Sequence, residues 1–454
     1  MISIDYKYHA LRGAALTYTD DPFRVGAHLS MRYDSDAIVC MSEGKITHFG
    51  PARRVLFQLP ADTLVERTGK DTLMLAGFID CHAHYPQTEC IGDCGEQLTD
   101  WLNGYTFLAE QKFASKAHAR EVAKVFLREC LRAGTTTACV CCTVHPQAVD
   151  AFFEEANALD MRMIAGKILM DRHAPQALTD TPRRGYDDSK SLILRWHDRG
   201  RQLYCVTPKF SLTSTPAQME MAGLLWAEHP GTYLQSHVAE NRAEAGWVKD
   251  FYPQRHGCLD VHDYYKQLGP RSIYAHGVWL SEAELRRCHE TGAAIAHCPS
   301  ANAFLGSGVF NLKSALTSER PVRVGLATDI GAGASFSMLR TLKRTYEAAK
   351  LNGYDLSAAL AFYLATRGGA RALYLEDKIG SIAVGHEADV IVLDLKSTPV
   401  IEYRMRECED LEEALFVQMA LADERAILAT YVAGKLAYRR ESRHIETRQD
   451  QSYE

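Results

Sequence analysis

The chain contains no run of about 18 apolar residues free of charge, so no membrane-spanning helix is expected. Residues 1–16 lack the continuous apolar core of a secretory signal, and export is not expected either. Positive charge is not in excess. The net charge is −6 with a pI near 6.3, which leaves no basic surplus for a phosphate backbone and argues against intact nucleic acid as a partner. Paired CxxC motifs of a structural zinc site are missing as well. The thirteen cysteines include Cys139, Cys141 and Cys142 in one apolar run, with Cys90 and Cys94 four apart. Reduced, mostly buried thiols in a cytoplasmic protein are the expectation.

What is present is a 454-residue chain, 46% hydrophobic and 24% charged, as in a water-soluble globular protein. Both ends are β-rich. Residues 36–51 read as two strands around Glu43-Gly44, and residues 427–438 as another pair around Ala433-Gly434. Gly and β-branched residues dominate 379–394 between them. Two similar ends around a different middle suggest one small β-sandwich built from both termini, residues 1–72 and 377–440. The polar residues 441–454 form a tail to which no role is assigned.

The middle, residues 73–376, alternates apolar runs with amphipathic stretches, the pattern of a parallel sheet with crossover helices. Eight runs read as strands: 73–80, 135–142, 162–170, 203–208, 232–236, 272–275, 293–296 and 323–328. Helices are expected at 117–133, 149–159, 189–199, 216–228 and 282–291. Eight strands close a (β/α)₈ barrel, whose active site gathers at the strands' C-terminal ends. Polar residues stand where these strands end: His82 and His84, Lys209, His237, His276 and Asp329. His82 and His84 lie two apart, so an extended chain turns both to one face. Any one of these residues alone could be a core histidine or a helix cap. Together, histidines with one carboxylate and an open position make a catalytic metal site, of zinc or of iron.

From Leu73 to about Ile330 the sequence resembles the amidohydrolase superfamily. The resemblance rests on the 77–87 segment GFIDCHAHYPQ, on 96–107 (EQLTDWLNGYTF) and on 206–215 (VTPKFSLTST). It rests also on 235–242 (QSHVAENR) and 297–302 (HCPSAN), and these blocks are most similar to the guanine deaminases within that superfamily. The resemblance implies one Zn²⁺ per chain held by His82, His84, His237 and Asp329. It implies His276 as the residue that orients the attacking water, Asp329 as its base and Glu240 as a proton shuttle. Gln87, Lys209 and Phe210, with His237 and Glu240, would hold a purine. Hydrolysis of guanine to xanthine and ammonia in purine catabolism, by a cytoplasmic homodimer, is what it implies overall.

Lys209 departs from the pattern, because arginine is usual before the matching phenylalanine. An arginine fork makes two parallel hydrogen bonds, whereas lysine is a point charge. Two alternatives therefore stand open. One is deamination of another aminated heterocycle, a pterin or 8-oxoguanine. The other is a binuclear cyclic-amide hydrolase in which Lys209 is carbamylated to bridge two metals. An inactive scaffold relative is disfavoured, since no metal-site position is missing. The base-editing zinc deaminases are disfavoured too, because the only HxE, at His444, stands in the polar tail without a PCxxC.

Overall fold

The computed structural model describes residues 7–93 and 101–441. Cys94, residues 96–100 of the quoted 96–107 segment and all of the tail beyond Glu441 lie outside the described residues.

Two hairpins mark the ends of the chain. Glu43 and Gly44 both take positive φ, as do Ala433 and Gly434. Such pairs suit the twist of tight hairpins, and each joins two strands: Met31–Ser42 to Lys45–Pro51, and Ile427–Val432 to Lys435–Arg439. The two termini share one mixed sheet. Its order runs Lys435–Arg439, Ile427–Val432, Val390–Asp394, Thr72–Ala76, His9–Tyr18, Met31–Ser42, Lys45–Pro51, with Leu64–Arg67 beside His9–Tyr18. Leu11, Val39, Met74, Val390 and Tyr431 form a separate apolar core on it.

The second sheet is parallel, and eight of its nine strands follow one path, labelled here β1 Phe78–His84, β2 Thr135–Cys141, β3 Arg162–Gly166, β4 Leu203–Pro208, β5 Tyr233–Val238, β6 Ser272–His276, β7 Ala294–His297 and β8 Arg323–Leu326. Each pairs with the next. The ring is nearly closed after β8, where Asp329 N–H donates to His82 O (3.0 Å) and His84 N–H donates to Ile330 O (3.2 Å). The buried Asp80 carboxylate adds to this closure by accepting the Thr328 backbone N–H at 3.0 Å and the Thr328 hydroxyl. The fold is thus a nearly closed (β/α)₈ barrel with a mixed sheet from both termini.

Helices cover the outside of the ring. Lys116–Arg132 turns Val122, Phe126, Leu127 and Cys130 inward at helical spacing, and Ser115 caps it. Pro146–Ala158, Pro216–Glu228 and Glu282–Thr291 lie at or near their expected positions. Pro182–Trp196 begins seven residues before the expected 189, because Thr181 caps it and Pro182 fits its first turn.

Two strands differ from expectation. Residues 73–80 split between sheets: Thr72–Ala76 pairs with Val390–Asp394, and the barrel strand starts only at Phe78. Gly77 makes the switch, since a Cβ there would lie 2.1 Å from Thr136 Oγ1. His82 and His84 consequently lie within β1 rather than after it. The 162–170 run breaks at Lys167, whose buried side chain pairs with Asp180; Ile168–Leu169 then pairs with β4. In the C-terminal part, the helices Pro399–Met405 and Leu411–Leu421 stand between β-strands, in a stretch for which the sequence reading assigned no element. The twelve described cysteines are all free, and all except Cys408 are buried. Among the described residues, no helix is long and apolar enough to cross a membrane.

Candidate metal-centred active site

Alternation along β1 puts His82 and His84 on one face with Ala83 on the other, and β5 and the turn after β8 bring His237 and Asp329 to them. The Nε2 atoms of His82 and His84 lie 3.1 Å apart, His82 and His237 3.2 Å, and His84 and His237 3.1 Å. Asp329 Oδ1 is 3.4 Å from His82 Nε2 and 3.5 Å from His84 Nε2. An ion bound at about 2.0–2.1 Å sets tetrahedral donor–donor spacings of roughly 3.3–3.4 Å. Five edges of such a tetrahedron are therefore present, and the donor chemistry fits a resident divalent metal.

The protonation pattern supports the same fit. Burial, then the neighbouring His82, hold both His84 and His237 well below the usual histidine range. Both are neutral and present lone pairs. His237 Nδ1–H donates to Lys209 O at 2.7 Å, which leaves Nε2 free to face the cluster. Two thiols stand nearby: Cys141 beside His82 and His84, and Cys298 beside His276 and Asp329. Burial pushes both thiols well up.

His276 ends β6, with Nε2 at 3.9 Å from Asp329 Oδ2 and 3.7 Å from Glu240 Oε2. Its Nδ1 meets Asn302 Oδ1 at 2.9 Å, which fixes the ring. Burial lowers the His276 pKa, but Glu240 and Asp329 outweigh it and the net shift is upward. Glu240 is itself raised, first by burial, and Ser307 Oγ donates to its Oε1 at 3.2 Å. An acid held above the ordinary carboxylate range can carry a proton to a substrate near neutral pH. Behind it, Glu244 Oε2 accepts the Glu240 backbone N–H at 2.8 Å. His276 (φ 74°), Asp329 (φ 49°) and Ala239 (φ 48°) all have left-handed backbone. Each such residue costs of order 1 kcal/mol or more and persists only where its surroundings dictate it.

The cluster opens into a pocket whose other walls include Gln87, Trp101, Leu102, Lys209, Phe210 and Leu305. The Phe210 ring lies 6.3 Å from the His237 ring and 6.0 Å from Trp247. Lys209 Nζ is turned to Glu110 Oε1 at 3.6 Å and lies 5.0 Å above the Phe107 ring. Its amine is thereby engaged on the Glu110 side of the pocket, which disfavours a carbamylated bridge between two metals.

All nine predicted site positions meet around this pocket: His82, His84, Gln87, Lys209, Phe210, His237, Glu240, His276 and Asp329. Sequence reasoning missed Asp80, Trp101, Glu110, Asn302 and Ser307. Trp101 and Asn302 stood within the quoted segments but were given no role. Asp80 too stood within a quoted segment, 77–87, without a role. Nothing in the sequence ties Glu110 or Ser307 to the site.

The Amidohydrolase family model matches residues 73–437. The guanine deaminase of Escherichia coli (strain K12) is 45% identical over 443 residues, covering 97% of this chain and 100% of that one. The solved E. coli guanine deaminase superposes with a TM-score of 0.92 at 45% identity, over 95% of this chain and 100% of the other. The guanine deaminase of Bradyrhizobium japonicum gives 0.92 at 33% identity, over 96% and 100%. A family match across most of the chain, and relatives aligned almost end to end, show that the chain belongs to the amidohydrolase family.

Proposed function

We propose that this protein hydrolyses guanine to xanthine and ammonia, using one zinc ion held by His82, His84, His237 and Asp329. The observation that carries the reading is the nest of three imidazole nitrogens and a carboxylate oxygen 3.1–3.5 Å apart, with Glu240 and His276 beside it. The relatives named as guanine deaminases support the choice of substrate.

When bound, the ion supplies Lewis acidity that lowers the pKa of a water from about 15.7 towards about 7. The rest falls to the side chains. Phe210 lies against the purine face, while Gln87 and Lys209 hold its polar edge. His276, set by Asn302, orients the water towards C2, and Asp329 accepts its proton. Glu240 protonates the ring nitrogen N3, without which the amidine carbon resists attack. As the C2–N bond breaks, Asp329 returns its proton to the departing amine, ammonia leaves, and the proton of the new C2 hydroxyl passes to Glu240, which restores the acid. Rigid strand ends hold base, acid and orienting imidazole around one carbon.

Ammonia release from guanine, 8-oxoguanine, isoxanthopterin, adenine and cytosine tests the reading. Rapid release from guanine alone is expected, and no release from any of them would overturn the deaminase assignment. We attach this activity to purine breakdown in the cytoplasm by a homodimer. Sedimentation of the purified protein checks the dimer.

A further inference from the structure

Behind the pocket wall stands a carboxylate that the reaction above does not use. Glu110, on the short helix Phe107–Gln111, is 0% exposed. Its Oε1 accepts a hydrogen bond from Gln87 Nε2 at 2.9 Å and lies 3.6 Å from Lys209 Nζ. Both partners line the pocket. Lys209 Nζ and Glu110 Oε2 are buried with no hydrogen-bond partner, and so is the indole N–H of the neighbouring pocket residue Trp101. Buried polar atoms left without a hydrogen bond cost about 1–3 kcal/mol each unless a ligand meets them. Two of them, the Lys209 ammonium and the Trp101 indole N–H, are donors on residues that line the pocket, and they point to a ligand's acceptor edge.

We propose that Glu110 is a positioning residue for substrate recognition: it anchors the Gln87 amide and the Lys209 ammonium so that both turn N–H donors towards the acceptor edge of a 6-oxopurine. The inference rests on the function proposed above. A carboxamide can present either its oxygen or its nitrogen, and acceptance by Glu110 fixes which side carries the nitrogen. One Gln87 N–H goes to Glu110 and the second remains for the pocket. The ammonium has three donors on a flexible stem and lacks the planar fork of arginine. Glu110 on one side and the Phe107 ring on the other give that point charge a direction. Guanine offers O6 and N7 as adjacent acceptors on the edge away from its 2-amino group, which suits two convergent donors.

The test compares wild type, Glu110→Gln, Lys209→Met and the double variant. Its readouts are kcat and KM for guanine and competitive inhibition by hypoxanthine, which keeps the 6-oxygen, and by purine, which lacks it. Glu110→Gln is expected to raise the KM for guanine about tenfold or more while kcat changes less than about threefold. It is also expected to weaken hypoxanthine but not purine. Lys209→Met should erase the preference for hypoxanthine over purine whatever Glu110 contributes to folding, and the double variant should lose less than the two single losses combined. Equal weakening of both inhibitors, fully additive losses or an unchanged guanine KM would overturn the inference. Wild-type protein inert towards guanine would overturn the proposed function as well, whereas active wild type beside an unaffected Glu110→Gln overturns this inference alone.

Discussion

Glu387 allows the union of the two sheets to be tested by charge. Just ahead of Val390–Asp394, it accepts from Arg162 Nε at 2.8 Å and Arg201 Nε at 3.0 Å, and the Arg162 and Glu387 side chains are only 7% and 9% exposed. Arg162 opens β3, so the contact ties the barrel to the terminal sheet. Burial alone would raise the Glu387 pKa, but the Arg162 hydrogen bond and both guanidinium charges outweigh it and hold the carboxyl at about 2, against an ordinary 4.5. At about 1.36 kcal/mol per pH unit, the carboxylate contributes about 3 kcal/mol. Because the folded value is depressed, this stability is complete above the unfolded pKa and is lost as pH falls through the folded one. Glu387→Gln should therefore lower stability by about 3 kcal/mol at neutral pH, with the deficit shrinking to less than half by about pH 3. Urea denaturation of wild type and variant at both pH values measures it. A deficit that stays constant with pH, or one below about 1 kcal/mol at neutrality, would refute the electrostatic account and leave only packing.

Three further outcomes concern the site. Glu240→Gln should retain bound metal but lose about 10²- to 10⁴-fold in kcat; near-wild-type turnover would remove it from the proton path. Dialysis against a chelator should abolish ammonia release, and zinc should restore it with one ion per chain by elemental analysis. Two ions would favour the binuclear alternative. Asn302→Leu frees the His276 ring from its hydrogen-bond anchor on Nδ1 and should lower kcat about 10- to 100-fold with little change in KM, read from steady-state rates with guanine.

The barrel was legible because burial and function fall on opposite ends of the same short runs. Tyr-Leu-Gln-Ser before His237 and Val-Gly-Leu-Ala-Thr before Asp329 are buried stretches that stop at a polar side chain. What failed was the assumption that one apolar run is one strand. Leu73–Ala76 and Phe78–Asp80 look continuous, yet the close approach of Thr136 leaves room only for glycine at position 77, and the chain changes sheets there. Lys167 broke another run for a related reason: its partner Asp180 lies 13 residues away, out of sight of any local pattern. The supporting residues were hidden in the same way. Asn302, Ser307 and Glu110 reach their partners across 26, 67 and 23 positions, and only the closed ring brings them together.

Charge is sorted within the pocket by what stands behind each group. His84 and His237 stay neutral because burial and a neighbouring imidazole disfavour protonation of either ring. His276 belongs to the same histidine group, yet it is shifted the other way because it faces Glu240 and Asp329. One residue type thus supplies lone pairs at one end of the cluster and an N–H donor at the other. The left-handed backbone at His276 and Asp329 is what turns these two side chains from the strand direction into the ring's mouth. That strain is sustained by the closure around it: Asp329 N–H is tied to His82 O, and the preceding Thr328 is tied to Asp80. The contacts that shut the barrel are therefore the ones that aim the base, and loosening the first should disturb the second before the fold is lost.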